Sequence, residues 1–408
     1  MRLLCAALLA VAVAGGCAPA ARRGIAFSTW GSIDEIETLK PLLAEFERAN
    51  PDVPVELIHI PDEYPHKVRL MAAARRMPDV LFLENQTLPG FARRGVLRDL
   101  APFMADGSIK RAEFYPQTLA ALTYKSTLYA IPRDLSNLAV FYNKALFDQA
   151  HVAYPEAEWT YERMVEKARS LTRGDQFGIG FAPYPIYWLP YLWSDGADVA
   201  DPGLTRCTLL DPPALAALHR YLDLRKKYHC APTEAQVGNA RMSQLFAQGK
   251  LAMMVGGRWV VPGFRKKLAF DWDVAPFPRG KAGSIVDADA SGWAIAESCR
   301  EPEKAWRLIK FLAGQHACEA FTRSGLIVPA RPDVASSKVF LDGKPAHSRV
   351  FLDAIPASRP TLTPPSYDEI VYELIDGLPA AWNGEQPLEE TLKPIVKRID
   401  ALLQEDHS

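Results

Sequence analysis

Residues 25–64, IAFSTWGSIDEIETLKPLLAEFERANPDVPVELIHIPDEY, decide the fold class. Ile25-Ala26-Phe27-Ser28-Thr29 reads as a short strand, broken by Trp30-Gly31. Ser32 or Asp34 can cap the helix that follows. Ile36, Leu39, Leu43 and Phe46 then recur at helical spacing and form one apolar stripe. Asn50-Pro51-Asp52 stops the helix, and Val53, Val55 and Leu57 alternate as a second strand over 53–60. A short helix is predicted over 68–76. Pro78-Asp79 introduces Val80-Leu81-Phe82-Leu83, a continuous apolar run suited to a strand covered on both faces. Another short helix is predicted over 89–94. Strand alternating with helix in this way calls for βαβ units and a parallel sheet, an α/β protein.

The alternation resumes downstream. Residues 128–135 are extended, with Pro132 inside them, and Leu138-Ala139-Val140-Phe141-Tyr142 is a strong strand. Thr160 caps a helix over 161–171, and 177–181 is a further strand. Residues 212–228 and 242–248 are helical, the latter ended by Gly249. Leu251 to Val255 is a buried strand leading into Gly256-Gly257-Arg258-Trp259. Residues 387–403 form an amphipathic helix with Leu388, Leu392, Ile395, Val396, Ile399, Leu402 and Leu403 on its apolar side.

At the other end, Met1-Arg2 precedes an apolar run from Leu3 to Gly16 and then Cys17. The run is shorter than the ~20 residues a spanning helix needs, and it has the character of a secretory signal. Ala14-Gly15-Gly16-Cys17 resembles a bacterial lipobox, which implies lipidation at Cys17; Ala14 stands where that pattern favours Leu. The remaining chain is too long for one comfortable core and calls for two lobes. Of the 408 residues 49% are hydrophobic and 23% charged, a globular balance, and the net charge of −1 leaves no basic field for nucleic acid. Beyond the signal, Cys207, Cys230, Cys299 and Cys318 remain. Closeness in sequence nominates Cys207–Cys230 and Cys299–Cys318 as disulfides, with the other pairings and free buried thiols open.

Signatures of several chemistries are missing. No Gly-x-Ser-x-Gly elbow occurs. Gly249-Lys250 is followed by Leu251, and Gln244 occupies the position of the first glycine, so no phosphate loop forms. The eight histidines lack metal-ligand spacing. No metal and no cofactor are expected. A carboxylate pair for glycoside hydrolysis would be spatial and leaves no sequence pattern.

Four ordered motifs carry a family resemblance. Pro78-Asp79-Val80 with Gly95-Val96-Leu97-Arg98-Asp99-Leu100 is the first. Phe141-Tyr142-Asn143-Lys144-Ala145-Leu146-Phe147 with Trp159-Thr160-Tyr161-Glu162 is the second. Phe246-Ala247-Gln248-Gly249-Lys250-Leu251-Ala252-Met253-Met254 with Gly257-Arg258-Trp259 is the third and most specific. Gly292-Trp293-Ala294-Ile295, Ala305-Trp306, Phe311-Leu312 and Pro329-Ala330-Arg331 complete the set. The chain resembles the extracellular solute-binding proteins of bacterial ABC importers, in the branch that includes maltose-binding proteins. The resemblance implies a periplasmic-binding-protein fold of two discontinuous α/β lobes with a hinge cleft. Lobe one is then 24–132 and 288–329, lobe two 137–283 and 332–405, after a signal segment 1–17. It implies an exported, lipid-anchored monomer, in the periplasm or on the outer face of the cytoplasmic membrane. That monomer captures a sugar by hinge closure and hands it to permease transmembrane subunits. The alternatives are a sugar-phosphate ester or polyamine as ligand, and a carbohydrate-active enzyme or sensor subunit as role.

Ligands of open α/β sheets sit beyond the carboxyl ends of the strands. Strand ends therefore nominate Trp30, Ser32, Glu84 and Asn85, with capping and packing as their ordinary alternative. Arg133 and Asp134 lie at the first crossing between lobes, as a cleft floor or a hinge salt bridge. Six aromatics fall between Phe181 and Trp193. Aromatic faces stack on sugar rings, and Tyr187 and Trp188 lead that group. Gly257, Arg258 and Trp259 follow a buried strand, where the family stacks ligand. Asp289 stands just before Gly292, where the family tends to glycine; its carboxylate suits two hydroxyls or a cation. Tyr367 is the C-terminal candidate.

Overall fold

The computed structural model describes residues 24–238 and 240–407. The signal segment and Cys17 lie outside them. Among the described residues twelve strands occur in chain order: β1 (Ile25–Thr29), β2 (Val55–His59), β3 (Val80–Glu84), β4 (Thr123–Tyr124), β5 (Thr127–Leu128), β6 (Ala130–Ser136), β7 (Leu138–Asn143), β8 (Phe177–Ile179), β9 (Leu251–Gly257), β10 (Trp272–Ala275), β11 (Asp289–Ile295) and β12 (Val328–Pro329). They make a six-stranded sheet in the order β12-β6-β11-β3-β1-β2, a four-stranded sheet β10-β7-β9-β8, and the β4–β5 hairpin.

Each large sheet anchors one lobe. β2, β1 and β3 are parallel, as the opening alternation requires, whereas β11, β6 and β12 join antiparallel. Of these, β11 is entered from the other lobe and runs against both β3 and β6, while β12 runs against β6. The chain leaves the first sheet at Asn137, between β6 and β7, and returns between β10 and β11.

Ser32 caps the first helix, Ile33–Ala49, by accepting from the Glu35 N–H at 3.3 Å. The expected stripe of Ile36, Leu39, Leu43 and Phe46 is buried against Phe27, Leu81 and Trp293. In the second lobe, β7 divides two cores by simple alternation. Leu138, Val140 and Tyr142 face Trp188, Tyr221, Trp382 and the C-terminal helix Leu388–His407. Ala139 and Phe141 face Phe246, Phe264, Trp272 and Phe340. Because both faces are covered, every residue of β7 and β9 is buried.

Some boundaries move. The second helix runs Tyr64–Ala73, earlier than 68–76, because Pro65 suits a first helical turn. The strand expected over 177–181 ends at Ile179, and Pro185–Ser194 is a helix. Val334 packs in the first core, so the segment from 332 returns to the second lobe a few residues later than the resemblance placed it.

The expected disulfides are corrected: Cys207, Cys230, Cys299 and Cys318 are all buried and free. Each is committed elsewhere. The Cys207 N–H donates to Asp400 at 2.6 Å, and the Cys230 thiol faces the Leu224 carbonyl at 3.5 Å. Cys299 sits beside Asp79 and Cys318 beside Arg331. Burial pushes all four thiols up to about 12. A chain starting at Ala18 should therefore keep its melting temperature when reductant is added. Its thiols should react with Ellman's reagent only after denaturant unfolds it; fast reaction in the native state would contradict this packing.

Candidate functional site

The rim of the first lobe is built on an irregularity in β6. Ser291 of β11 faces Asp134, but Gly292 faces Pro132, so Arg133 is the extra residue of a bulge. Pro132 has no N–H to give the ladder, which is why the register breaks there. Gly292 accommodates the close approach, since a Cβ at that position would meet the Ile131 carbonyl at 2.3 Å. The bulge turns the Arg133 guanidinium over the rings of Phe82, Trp293 and Phe321, at 4.7, 5.4 and 5.5 Å.

Arg133 is buried and doubly neutralised. Its Nε and Nη2 reach Asp134 at 2.8 and 2.7 Å, and its Nη1 pairs with Glu35. The other Asp134 oxygen accepts from the Ser291 hydroxyl at 2.6 Å and its N–H at 3.3 Å. Arg133 and Asp134 are thus the hinge salt bridge, not free arms for a ligand. Glu35 was not foreseen. A Cβ at Gly31, whose φ is +134°, would meet Glu35 Oε2 at 2.2 Å, so glycine at 31 leaves room for this ion pair.

Asp289 is likewise committed. It accepts from Asn85 Nδ2 (2.8 Å), Gln86 Nε2 (2.6 Å), the Thr361 N–H (2.9 Å) and the Thr361 hydroxyl (2.7 Å). Asn85 Oδ1 accepts from the Ala290 N–H at 3.0 Å. Asn85 and Asp289 therefore tie the end of β3 to the start of β11 and to the C-terminal segment. Gln86 and Thr361, absent from the sequence-based set, complete the tie.

Glu84 differs. Half-buried at the end of β3, its carboxylate takes part in no hydrogen bond or ion pair among the described residues. Burial, then the charge of Asp134, pushes it up to about 7; Arg133 acts in the opposite sense, and Asp289 and Glu35 raise it further. Tyr367 begins the helix Tyr367–Gly377 and belongs to the same group. Burial raises its phenol strongly, and the charges of Asp289, Glu84 and Asp287 raise it further.

Two tryptophans are exposed at the strand ends. Trp30 is 42% exposed, with its indole N–H donating to the Pro61 carbonyl at 3.0 Å. Its neighbour Ile33 is also exposed. Trp259 is 40% exposed and lies on Gly257, where a Cβ would fall 1.9 Å from the indole ring. Gly257 thus makes the seat for Trp259. Ser32 is exposed while it caps the first helix.

Arg258 and Trp188 do not face the cleft. Arg258 is 2% exposed, between Phe340 and Phe351, and donates to the Gly325 carbonyl and Ser348 Oγ. Burial, reinforced by Arg265, pulls it down to about 9. Trp188 is fully buried, donates to the Pro183 carbonyl at 3.0 Å and packs near Trp382. Tyr187 is half-buried against both cores of the second lobe. Tyr184 is the exposed member of the aromatic group. Helical geometry sorts these side chains inward or outward, and the aromatic run alone does not reveal which.

The model of the bacterial extracellular solute-binding protein family matches residues 42–345. The chain belongs to that family. A Brucella abortus relative named only as a binding protein is 22% identical over 366 residues, covering 88% of each chain. The maltotriose-binding protein of Pyrococcus abyssi is 23% identical over 287 residues, 70% of this chain and 58% of its own. An ABC substrate-binding protein of Listeria monocytogenes, solved with cycloalternan, superposes with a TM-score of 0.88 at 22% identity, covering 93% of this chain and 99% of that one. UgpB of Mycobacterium tuberculosis, solved with glycerophosphocholine, gives 0.82 at 22% identity, covering 94% and 99%. These structures share the two-lobe fold.

In this solute-binding protein three ion pairs among the described residues join the lobes, besides the hydrogen bonds from Arg258 to the Gly325 carbonyl and from Arg265 to the Arg323 carbonyl. Asp34 meets Lys266 at 2.5 Å, Arg93 meets Asp406 at 2.8 Å, and Arg69 pairs with Asp368. The Asp34–Lys266 pair brings the element after Trp30 against the element after Trp259.

Glu84 supplies a pH test. Its folded-state pKa lies above the ordinary value of 4.5, so the folded chain holds the extra proton and its contribution to stability is lost as pH rises from 4.5 through about 7. At pH 8 the ligand-free Glu84→Gln chain should melt above the parent by roughly 2–4 °C. Near pH 4.5 the two should coincide. A lower melting temperature for the variant at pH 8 would mean that Glu84 has a stabilising partner.

Proposed function

We propose that the chain captures a sugar or oligosaccharide between its lobes and delivers it to the membrane permease of an ABC importer. The observation that carries this is the presence of two exposed indoles, Trp30 and Trp259, and the unengaged Glu84 carboxylate at strand ends, with the Tyr367 hydroxyl at the start of a helix beside Glu84. Indole faces take the C–H faces of a sugar ring, while carboxylate and phenol take its hydroxyls. Relatives and structural neighbours named for maltotriose, maltodextrin, maltose and acarbose support the same ligand class.

The charge of the site argues against a sugar phosphate. Arg133 is already neutralised and Arg258 is buried in the core, so neither cation is offered to a phosphate. The engaged state of Asp134 and Asp289 argues for binding and not glycoside hydrolysis, which needs two working carboxyls across one bond. Export, a lipid anchor at Cys17 and a monomeric state belong to this proposal. No helix among the described residues is long and apolar enough to cross a membrane.

Thermal-shift screening and calorimetry against mono- and oligosaccharides should find a sugar ligand, and Trp30→Ala and Trp259→Ala should each weaken it by roughly tenfold. Stabilisation by a polyamine and by no sugar would overturn the sugar reading. The rim ion pairs should favour the closed state in sum, each exposed pair giving about 0.5 kcal/mol. Combined Arg69→Gln, Arg93→Gln and Lys266→Gln should then weaken binding by roughly tenfold and enlarge the liganded particle in small-angle scattering. An unchanged affinity would show that closure does not draw on these pairs.

A further inference from the structure

Resting on the sugar reading, we infer that the bound sugar carries a positively charged nitrogen, received by the Glu84 carboxylate beside the Tyr367 hydroxyl. The reason is a charge imbalance fixed by geometry. Glu84 on β3 is faced by Glu35 from the first helix, Arg133 and Asp134 from β6, and Asp289 from β11. Tyr367 adds Asp287 to the same group. Arg133 is the single cation in this set, and it holds Glu35 and Asp134 at once. One guanidinium against those two carboxylates leaves one uncompensated charge. Asp289 adds a second, because its four hydrogen-bond donors are all neutral. Glu84 stands in that negative field with both oxygens unengaged.

Cations elsewhere on the rim do not relieve it. Arg69 is held by Asp368, Lys266 by Asp34, and Arg359 by Asp198. A second, independent feature points the same way. Asp287 is 1% exposed; one oxygen accepts from Ser136, while the other, Oδ1, has no hydrogen-bond partner. Burial, then the charge of Asp289, pushes its carboxyl well up, the direction expected of a carboxyl set beside a second one. Neutral hydroxyls can satisfy the hydrogen bonds of such a floor but not its charge. An ammonium group does both, and it keeps Glu84 ionised. The apolar faces of Trp30 and Trp259 are compatible with an amine-bearing ring, since indoles also attract cations.

The test uses the full chain at pH 7 and probes of matched length that carry a charged amine, a neutral acetamide or a neutral hydroxyl. Calorimetric titration would compare glucosamine oligosaccharides of two to four units with the same oligosaccharides N-acetylated, and with malto-oligosaccharides of equal length. The expected result is binding of the amine form about tenfold tighter than the acetylated form, the ratio a charge-assisted hydrogen bond gives. That ratio should collapse towards one in Glu84→Gln, and in the parent at pH 5, where Glu84 is protonated. Tyr367→Phe, which keeps the ring, should reduce the ratio without abolishing it. Binding of neutral oligosaccharides as tight as or tighter than the amines would overturn this inference and leave the sugar reading standing. Failure of both kinds of oligosaccharide to bind would overturn the two together.

Discussion

A guanidinium buried at the end of a strand is best held when carboxylates neutralise it, because an uncompensated charge in the interior costs several kcal/mol. Arg133 meets that condition with Glu35 and Asp134 while lying on three aromatic faces. Much of the rim follows. Pro132 breaks the β6–β11 register so that Arg133 can turn inward, Gly292 admits the approach of the broken strand, and Gly31 leaves space for Glu35. With its one nearby cation consumed in this way, the end of β3 is left acidic, and Glu84 is the group that feels it.

The two lobes are joined at the strand ends, through Arg258 and Arg265, and by ion pairs at the rim. Asp289 gathers donors from the turn after β3 and from the C-terminal segment, which ties both to the start of β11. The Asp34–Lys266 pair at the rim is well exposed and forms and breaks at small net cost. Such an arrangement lets a ligand that touches both lobes decide the balance between open and closed forms. Trp30 and Trp259 lie on opposite lobes, each preceding the helix that carries one charge of the Asp34–Lys266 pair.

Much of the fold was legible in order along the chain. The alternation of residues 25–60, the stripe of the first helix and the apolar face of the last helix all follow from local periodicity, and the ordered motifs identified the family. The site was legible in part. Trp30, Glu84, Trp259 and Tyr367 were nominated as strand-end or near-turn residues and are accessible or half-buried there. Arg133, Asp134, Asn85 and Asp289 were nominated too, but their hydrogen bonds are taken up within the protein. Trp188 and Arg258 turned inward, because a residue's side in a helix or after a strand depends on which neighbour offers a core. Gln86, Thr361 and Glu35 gave no local signal, since their importance lies in partners dozens to hundreds of residues away.

By itself the sequence determined the sequence-local features: strand and helix order, caps, the proline that interrupts β6, and the glycines next to Trp30 and Trp259. These depend on φ/ψ limits, side-chain periodicity and missing N–H groups, which act within a few residues. Only the tertiary structure decided which carboxylate stays free, because that requires counting every donor and cation within reach of Glu84, Asp134, Asp287 and Asp289. It also decided that the four cysteines remain thiols, since a disulfide needs two sulfurs brought together and the packing gives each of these a different neighbour.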